Sequence, residues 1–584
     1  MKKERNYKLN VKAKNRNKAI RTVFEVVAIS ALVLAIVFLV VNIRQYQEPD
    51  KSKWTNKSGF VALTYFGVNH VGSSKSVSQS TLDKELKALS GMGYQTVSQQ
   101  DIVDFYKNGK ALPQKALYLG FEDGRTDSSI FAQSLLERYN YKATLFSYAN
   151  RVDGDDNKFL NAKQLLDLTR NGYWELGSNG YRLTYIDITD RNNNHIPMID
   201  DSKYNEIETA QSYTHFLMDF LRDRDGVPTE DRQEMELRIQ TDYDNMKSIY
   251  TKGLGYVPGA YIIMHSDEMY GNMNPLVQSA NEQGIKQLFQ MNFNKDLNCY
   301  NTPEENMLNL NRLQVGAYWY TNHLLMAIKR DSSGEMQFLK GDADRAENWD
   351  VQKGVAEFLG NKIAFTSPPK SDGFMVLKSD KDFSNITLNT TLTGTVVGNE
   401  CIYLRYADNG NSFVRVRCSN NQIIVEEKLD GQLLKTLSTY NMDLPDFEKL
   451  NGPSQLQQQY LYNTDGTINE DAPQPYLMGL SKVTQLRIDL QGKSLQLTVD
   501  GKASGGDIQI DSGITGKHLA LGTWRSRINK KDDIYDAVFQ NLTVTTPGDK
   551  GTILYENTYN FWQGIIVGVE DAFNALINWS ITAF

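Results

Sequence analysis

Two acidic side chains, Glu122 and Asp123, stand next to each other after the apolar run Lys115–Phe121 and before Gly124. At the carboxyl end of a strand, such a pair lies on the face where barrels of alternating strands and helices carry their chemistry. One carboxylate there can take a proton from water while its neighbour holds a cation; the plain alternative is a solvated acidic turn. Further along, the strand-like run from Ala260 ends in His265-Ser-Asp267, and His323 closes the stretch Trp319-Tyr-Thr-Asn-His. Either histidine is a candidate metal ligand or proton donor, although a single histidine is more commonly an ordinary hydrogen-bonded residue. Cys299, Cys401 and Cys418 do not have the spacing of a zinc-thiolate site.

The elements that must hold these residues alternate in type. Phe60–Phe66 reads as a strand, Ser80–Met92 as a helix with Leu82, Leu86 and Leu89 on one face, and Lys115–Phe121 as a second strand. A helix over Ser128–Tyr139 and a third strand over Lys142–Ser147 follow. This order predicts a parallel α/β sheet or barrel. After about Glu357 the pattern changes to short alternating strands: Ile386–Leu392, Gln422–Glu427, Gln485–Leu490 and Leu495–Gly501. Punctuated by Gly, Asn and Asp, they predict an all-β sandwich, interrupted by a polar surface insertion from about Asp443 to Pro475. Asn409-Gly410 predicts a hairpin turn, and counting outward from it sets Cys401 opposite Cys418. That pairing suits a cross-strand disulfide in an oxidising compartment, or two small buried residues.

With 584 residues, the chain is too long for one hydrophobic core. A net charge of -7 leaves no broad cationic surface, which argues against nucleic acid as a partner. Basic residues crowd the first 22 positions, and an apolar run follows over 23–43. That arrangement predicts a single-pass membrane anchor with a cytoplasmic N-terminus and the bulk of the chain outside. A cleaved signal peptide is the rival, but Val40-Val41-Asn42-Ile43 is a poor small-residue cleavage site. The expected organisation is then a linker over 44–57, an α/β unit over 58–348, a β unit over 358–548 and an amphipathic helix over 549–584. The last carries Phe561, Trp562, Ile565, Val569 and Phe573 at helical spacing; its polar face lacks the cations of membrane-surface helices, which favours packing on a partner domain.

One stretch carries a resemblance. Leu86-Lys-Ala-Leu89, Gly93-Tyr-Gln-Thr-Val97, Asp101-Ile-Val-Asp-Phe-Tyr106, Leu112-Pro113, Leu117-Tyr-Leu-Gly-Phe-Glu-Asp-Gly124 and Tyr141-Lys-Ala-Thr-Leu-Phe146 follow in order. Together they resemble the opening of the NodB-like polysaccharide deacetylases, carbohydrate esterase family 4, especially those acting on biofilm exopolysaccharide. The resemblance spans residues 58–345 and implies a distorted (β/α) barrel. It places Glu122 as catalytic base and Asp123 on a divalent metal, most commonly zinc. His265 becomes a further metal ligand and His323 the general acid. Asn179, Tyr181 and Tyr256 then fall among the substrate-binding positions. The sequence also departs from the family pattern. Asn179 and Leu183 replace the two metal-binding histidines, Tyr256-Val-Pro258 lacks the family's arginine, and Glu122 replaces an aspartate. Leucine has no lone pair to give, an amide oxygen is a poor substitute for imidazole on zinc, and an extra methylene shifts a base by an amount that costs ~10²-fold in rate. The standard metal site cannot assemble.

The β unit resembles concanavalin-A-like jelly rolls through Leu486–Gly501 and Tyr535–Val544, with Trp524 and exposed tyrosines available to stack on sugar rings. Two functions follow from the resemblance. One is a membrane-anchored, extracytoplasmic deacetylase of an N-acetylated exopolysaccharide or cell-wall glycan, using an altered ligand set. The other is a catalytically inactive module that binds polysaccharide during assembly or export, alongside other exopolysaccharide-assembly proteins. A purely structural role needs only the anchor and the domains.

Overall fold

Apolar stretches bounded by turn residues become parallel strands, and the computed structural model of the chain assembles them into a nearly closed barrel. It describes residues 44–559, apart from 74, 155, 191–193, 201–211, 264–272, 297, 397, 444–462, 464–466, 468–482, 505, 526–531 and 549–550, together with Lys18, Arg21–Val23, Val26, Val27 and Ser30. Most of the expected tail and anchor over 1–43, most of the tract Asp443–Pro475 and the segment from 560 onward therefore lie outside the described residues. Among the described residues no helix is long and apolar enough to cross a membrane.

Phe60–Tyr65, Ala116–Phe121, Ala143–Tyr148, Trp174–Gly180, Ala260–Ile262 and Met291–Lys295 lie side by side in that order, all parallel. Closure falls to one short segment. Its first half, Leu310–Asn311, pairs with Met291–Lys295, and its second half, Leu313–Gln314, pairs with Phe60–Tyr65. Strands covered on both faces require unbroken apolar runs, and the first three are buried at every position. Alternate residues then sort by face. Phe60, Ala62, Tyr118, Phe146, Ile262, Met291 and Phe293 fill the interior. Val61, Leu63, Tyr65, Leu117, Leu119, Leu145 and Trp174 pack under the surrounding helices.

The expected helix forms over Gln79–Gly91, capped by the Ser78 hydroxyl accepting from the Thr81 N–H at 3.0 Å, and buries Leu82, Leu86 and Leu89. Helix Gln99–Asn108 closes the amino-terminal end of the interior with Ile102, Val103 and Phe105, its Gln99 N–H donating to Glu175 at 2.9 Å. Past the strand Trp174–Gly180 the chain makes a small antiparallel sheet of Thr184–Thr189, His195–Asp200 and Ser212–His215.

The β unit begins at Trp349–Lys353 and ends at Ile553–Asn557, a strand lying inside the stretch expected to be helical. Among the described residues it holds sheets of seven and nine strands. Met375, Ile402, Leu404, Val414 and Val416 from the first share one core with Ile363, Phe365, Leu388, Ile488, Leu497 and Phe539 from the second, which makes a β-sandwich.

The hairpin around Asn409-Gly410 forms, but in a different register from the one expected. Glu400 faces Cys418, and Cys401 faces Arg417. Arg405 adopts φ 47°, and a one-residue irregularity lies between Tyr403 and Tyr406. A bulge on one strand shifts every residue beyond it by one position. Cys401 consequently packs on the outer face with Tyr403 and Phe413, while Cys418 leans on the sandwich core, and neither sulfur is in a disulfide.

Candidate functional site

Residues facing the barrel interior near the amino-terminal end are apolar; at the carboxyl end the same face turns polar. Counting by twos from Phe60 and Ala62 reaches Thr64, from Tyr118 and Gly120 reaches Glu122, and from Thr144 and Phe146 reaches Tyr148. Asn179 is the extra residue of a bulge where Ser147 pairs with Ser178 but Tyr148 pairs with Gly180. Its amide oxygen accepts from the Asp123 N–H at 3.0 Å. These side chains, with Arg312 and Gln314 from the closing segment, form the barrel mouth.

The turn that carries the two acids is unusual. Asp123 has φ 66° and Gly124 φ 64°, successive left-handed residues immediately after a strand. A Cβ at Gly124 would stand 2.8 Å from the Ser147 Cβ, so this position needs glycine for space as well as for conformation. The turn aims the two carboxylates apart. Glu122 points into the barrel, 1% exposed, where Oε2 accepts from Gln314 Nε2 at 3.1 Å and Oε1 faces Arg312 Nε at 3.5 Å. Arg312 is 5% exposed and also lies 3.3 Å from Asp296. Asp123 is partly buried, and burial first, then the Glu122 charge beside it, push its carboxyl up to about 7. Burial likewise drives the Tyr148 phenol well above its ordinary range, with the Asp123 charge contributing next.

Three buried polar atoms around these acids have no hydrogen-bond partner among the described residues: Thr64 Oγ1, Tyr148 OH and Asn179 Nδ2. Buried polar groups are normally satisfied, so this unpaired set at the mouth of the barrel is available to water or to a polar ligand.

The other expected residues are elsewhere. His323, expected as general acid, is 1% exposed on the helix Thr321–Ser332, and both ring nitrogens face carboxylates of the sandwich: Nδ1 lies 3.0 Å from Asp536 and Nε2 3.0 Å from Asp532. Trp319 stacks on the ring at 4.3 Å, and its Nε1 donates to Asp532 at 3.0 Å. With both nitrogens committed, His323 joins the two domains and is not a proton donor at the mouth. Tyr256 lies in the loop before Ala260–Ile262, 46% exposed, and its phenol is raised by burial and then by the Glu175 charge; both features place it at the amino-terminal end of the barrel, opposite Asp123. Tyr181 is partly buried against the barrel's outer core, its carbonyl accepting from the Asn150 N–H at 2.9 Å. Asn179 and Leu183 do not share a helix face, because Trp174–Gly180 is a strand and Leu183 packs with Tyr185, Ile188 and Ile199. His265 falls outside the described residues.

The described residues do not fit zinc. Asn179 turns its amide oxygen to a backbone N–H, Leu183 packs partly buried against an apolar cluster, and among the described residues no group of three histidine, cysteine or acidic side chains converges on a point. Sequence reading missed Arg312, Gln314, Tyr148 and Thr64. Strand parity would have marked Thr64 and Tyr148, but nothing in the sequence ties Arg312 to a carboxylate nearly two hundred positions away.

No family model matches the chain. Over 130 residues it is 25% identical to YxkH of Bacillus subtilis (strain 168), whose name provisionally assigns it polysaccharide deacetylase activity; the match covers 22% of this chain and 46% of that protein. The chain thus spans about half the length of the curated relative it matches. Among solved structures, a de-N-acetylase from Aggregatibacter actinomycetemcomitans is similar at 19% identity and a TM-score of 0.35, over 44% of this chain and 96% of that one. The carbohydrate-binding module CBM66 from Bacillus subtilis is similar at 14% identity and a TM-score of 0.24, over 34% of this chain and 94% of that one.

Proposed function

We propose that this chain is a polysaccharide-binding protein of the deacetylase type, whose barrel mouth holds a hexosamine-based exopolysaccharide or cell-wall glycan without hydrolysing it. One observation carries the reading: Glu122, which would activate a water, and Asn179 and Leu183, at the positions of the family's metal-binding histidines, are engaged otherwise, while neighbouring polar atoms are left open. Glu122 is held by Arg312 and Gln314 and is almost inaccessible, which removes it as a base for an incoming water. Thr64, Tyr148 and Asn179 keep unpaired polar atoms around Asp123, suited to the hydroxyl and nitrogen substituents of a sugar. The relative's name supports the glycan class. The basic, then apolar, N-terminal sequence supports a membrane tether with the barrel and sandwich outside the cell, where such a glycan is assembled or exported. The sandwich, read as concanavalin-A-like, would add a second glycan contact.

Titrating the full chain with N-acetylglucosamine oligosaccharides, alongside an acetate-release assay with added zinc, tests this reading. Saturable binding without acetate release is expected, and Asn179→Ala should weaken binding by about tenfold through loss of a buried hydrogen bond. Acetate release that needs zinc and disappears in Asp123→Asn would restore the hydrolytic reading.

A further inference from the structure

If the barrel mouth is a polysaccharide site, its charges and hydrogen-bonding groups distinguish two forms of the same glycan. An acetamido substituent is neutral, with one N–H donor and one carbonyl acceptor. A free sugar amine, once protonated, presents three donors, no acceptor and a positive charge. The mouth can be sorted in the same terms.

On its floor, Arg312 is shared between Glu122 at 3.5 Å and Asp296 at 3.3 Å, one guanidinium against two carboxylates. Above them, the Asp123 carboxylate has no hydrogen-bond or ion-pair partner among the described residues. The cations whose charge reaches Asp123 are Arg125, Lys158 and Arg151. Arg125 is engaged with Asp127 at 3.1 Å, Arg151 lies 4.0 Å from Asp156, and Lys158 lies 5.4 Å from the Phe159 ring centre. None contacts Asp123, so among the described residues a partly buried carboxylate stands without a counter-charge at the position where the resemblance would put a metal ion. The open groups beside it favour the same answer. The Tyr148 and Thr64 hydroxyls both accept hydrogen bonds, and Asn179 Nδ2 is the one obligate donor of the set. The turn backbone is already fixed by the Asn179 contact at 3.0 Å, so the carboxylate is held in place before a ligand arrives.

We propose that the mouth selects a de-N-acetylated hexosamine polymer, its protonated amine seated on Asp123 with Tyr148 and Thr64, over the fully N-acetylated form of that polymer. The site would then recognise the product of glycan deacetylation, and a separate hydrolase acting on the acetamide must supply it.

The experiment compares glucosamine and N-acetylglucosamine oligosaccharides of equal length and linkage, titrated calorimetrically into the full chain near pH 7, where the sugar amine and Asp123, whose carboxyl is pushed up to about 7, each carry charge in a substantial fraction, at low and high salt. The amine form is expected to bind about tenfold or more tighter, as a charge-assisted contact does, with an advantage that shrinks as salt rises. In Asp123→Asn the ratio between the two forms should fall towards one. Asparagine tolerates the left-handed backbone at this position, and circular dichroism confirms the variant's fold. Equal or tighter binding of the acetylated form overturns this inference and leaves the site reading standing. Failure of both forms to bind overturns both, and a salt-independent preference removes the ammonium–carboxylate contact whatever the variant does.

Discussion

Arg312 decides the electrostatics of the barrel mouth. Its side chain and that of Glu122 are 6% and 1% exposed, and the two lie 3.5 Å apart. A buried ion pair adds little net stability over a well-packed apolar pair, but removing one partner leaves a charge in a medium that cannot solvate it. Arg312→Ala is therefore expected to lower the unfolding free energy by about 3 kcal/mol, while Arg312→Met combined with Glu122→Gln recovers most of the loss. Urea titration checks both, and a single-variant loss well under about 1 kcal/mol would mean that Glu122 is not held as a buried anion. The residue itself was not legible as part of a site. In the run Leu308-Asn-Leu-Asn-Arg-Leu-Gln-Val315, alternation puts Leu310, Arg312 and Gln314 on one face, yet nothing local says that the face belongs to a barrel interior. That follows only when Leu313–Gln314 pairs with Phe60–Tyr65, a closure between distant parts of the chain. Glu122 and Asp123, by contrast, stand out from their neighbours alone, because two acids after an unbroken apolar run have few structural explanations.

Elements were read more reliably than their registers. Helix Gln79–Gly91 and strands Phe60–Tyr65, Ala116–Phe121 and Ile386–Leu392 lie within two residues of where apolar periodicity sets them, because burial on one or two faces writes a repeat of 3.6 or 2 directly into the chain. Register depends on single backbone conformations that leave no such repeat. Arg405 at φ 47° is one, and it moves Cys401 from opposite Cys418 to opposite Arg417. On a pleated sheet that one step puts the two sulfurs on opposite faces, beyond the geometry of a disulfide. The expected result is that denatured protein prepared without reductant takes up three equivalents of alkylating reagent, one for each cysteine. Mass spectrometry reads this directly, and uptake at Cys299 alone would return the hairpin to the register without a bulge. The segment of Asn179 obeys the same constraint. Its spacing to Leu183 fits one turn of helix, but neighbouring parallel strands on both sides impose the extended form on Trp174–Gly180.

At the scale of the whole molecule, burial of ionisable groups sets the pH at which the fold is most stable. Burial pushes Glu85 up to about 8 and Asp123, Glu175, Asp242, Glu357 and Glu400 up to about 7. Each binds its proton more tightly folded than unfolded, so each loses stability as pH rises from the ordinary carboxyl range, about 4, through 7 to 8. His323 acts in the same sense for a different reason. Burial opposes its charge, but Asp532 and Asp536 outweigh that and lift it to about 10. Its contribution is complete below the ordinary imidazole value, about 6.5, and fades as pH rises to about 10. On the acid side, Asp532 is pushed up by burial but held below its usual range by His323, and Glu426 is held down by Arg415 and Arg417 against its own burial; their stabilisation is lost as pH falls below about 4. The opposing slopes meet on the acid side of neutrality, so the urea midpoint is expected to peak near pH 5 and to decline steadily towards pH 9. Because His323 lies on a barrel helix and its carboxylates on the sandwich, part of that decline belongs to the joint between domains. His323→Gln, which leaves two buried carboxylates facing each other, should cost about 3 kcal/mol below pH 6.5, and the gap to the unsubstituted chain should close as pH approaches 10. A midpoint that rises from pH 5 to 8, or a gap that does not change with pH, would show that these groups are ionised by solvent and that the joint is not held by the imidazolium.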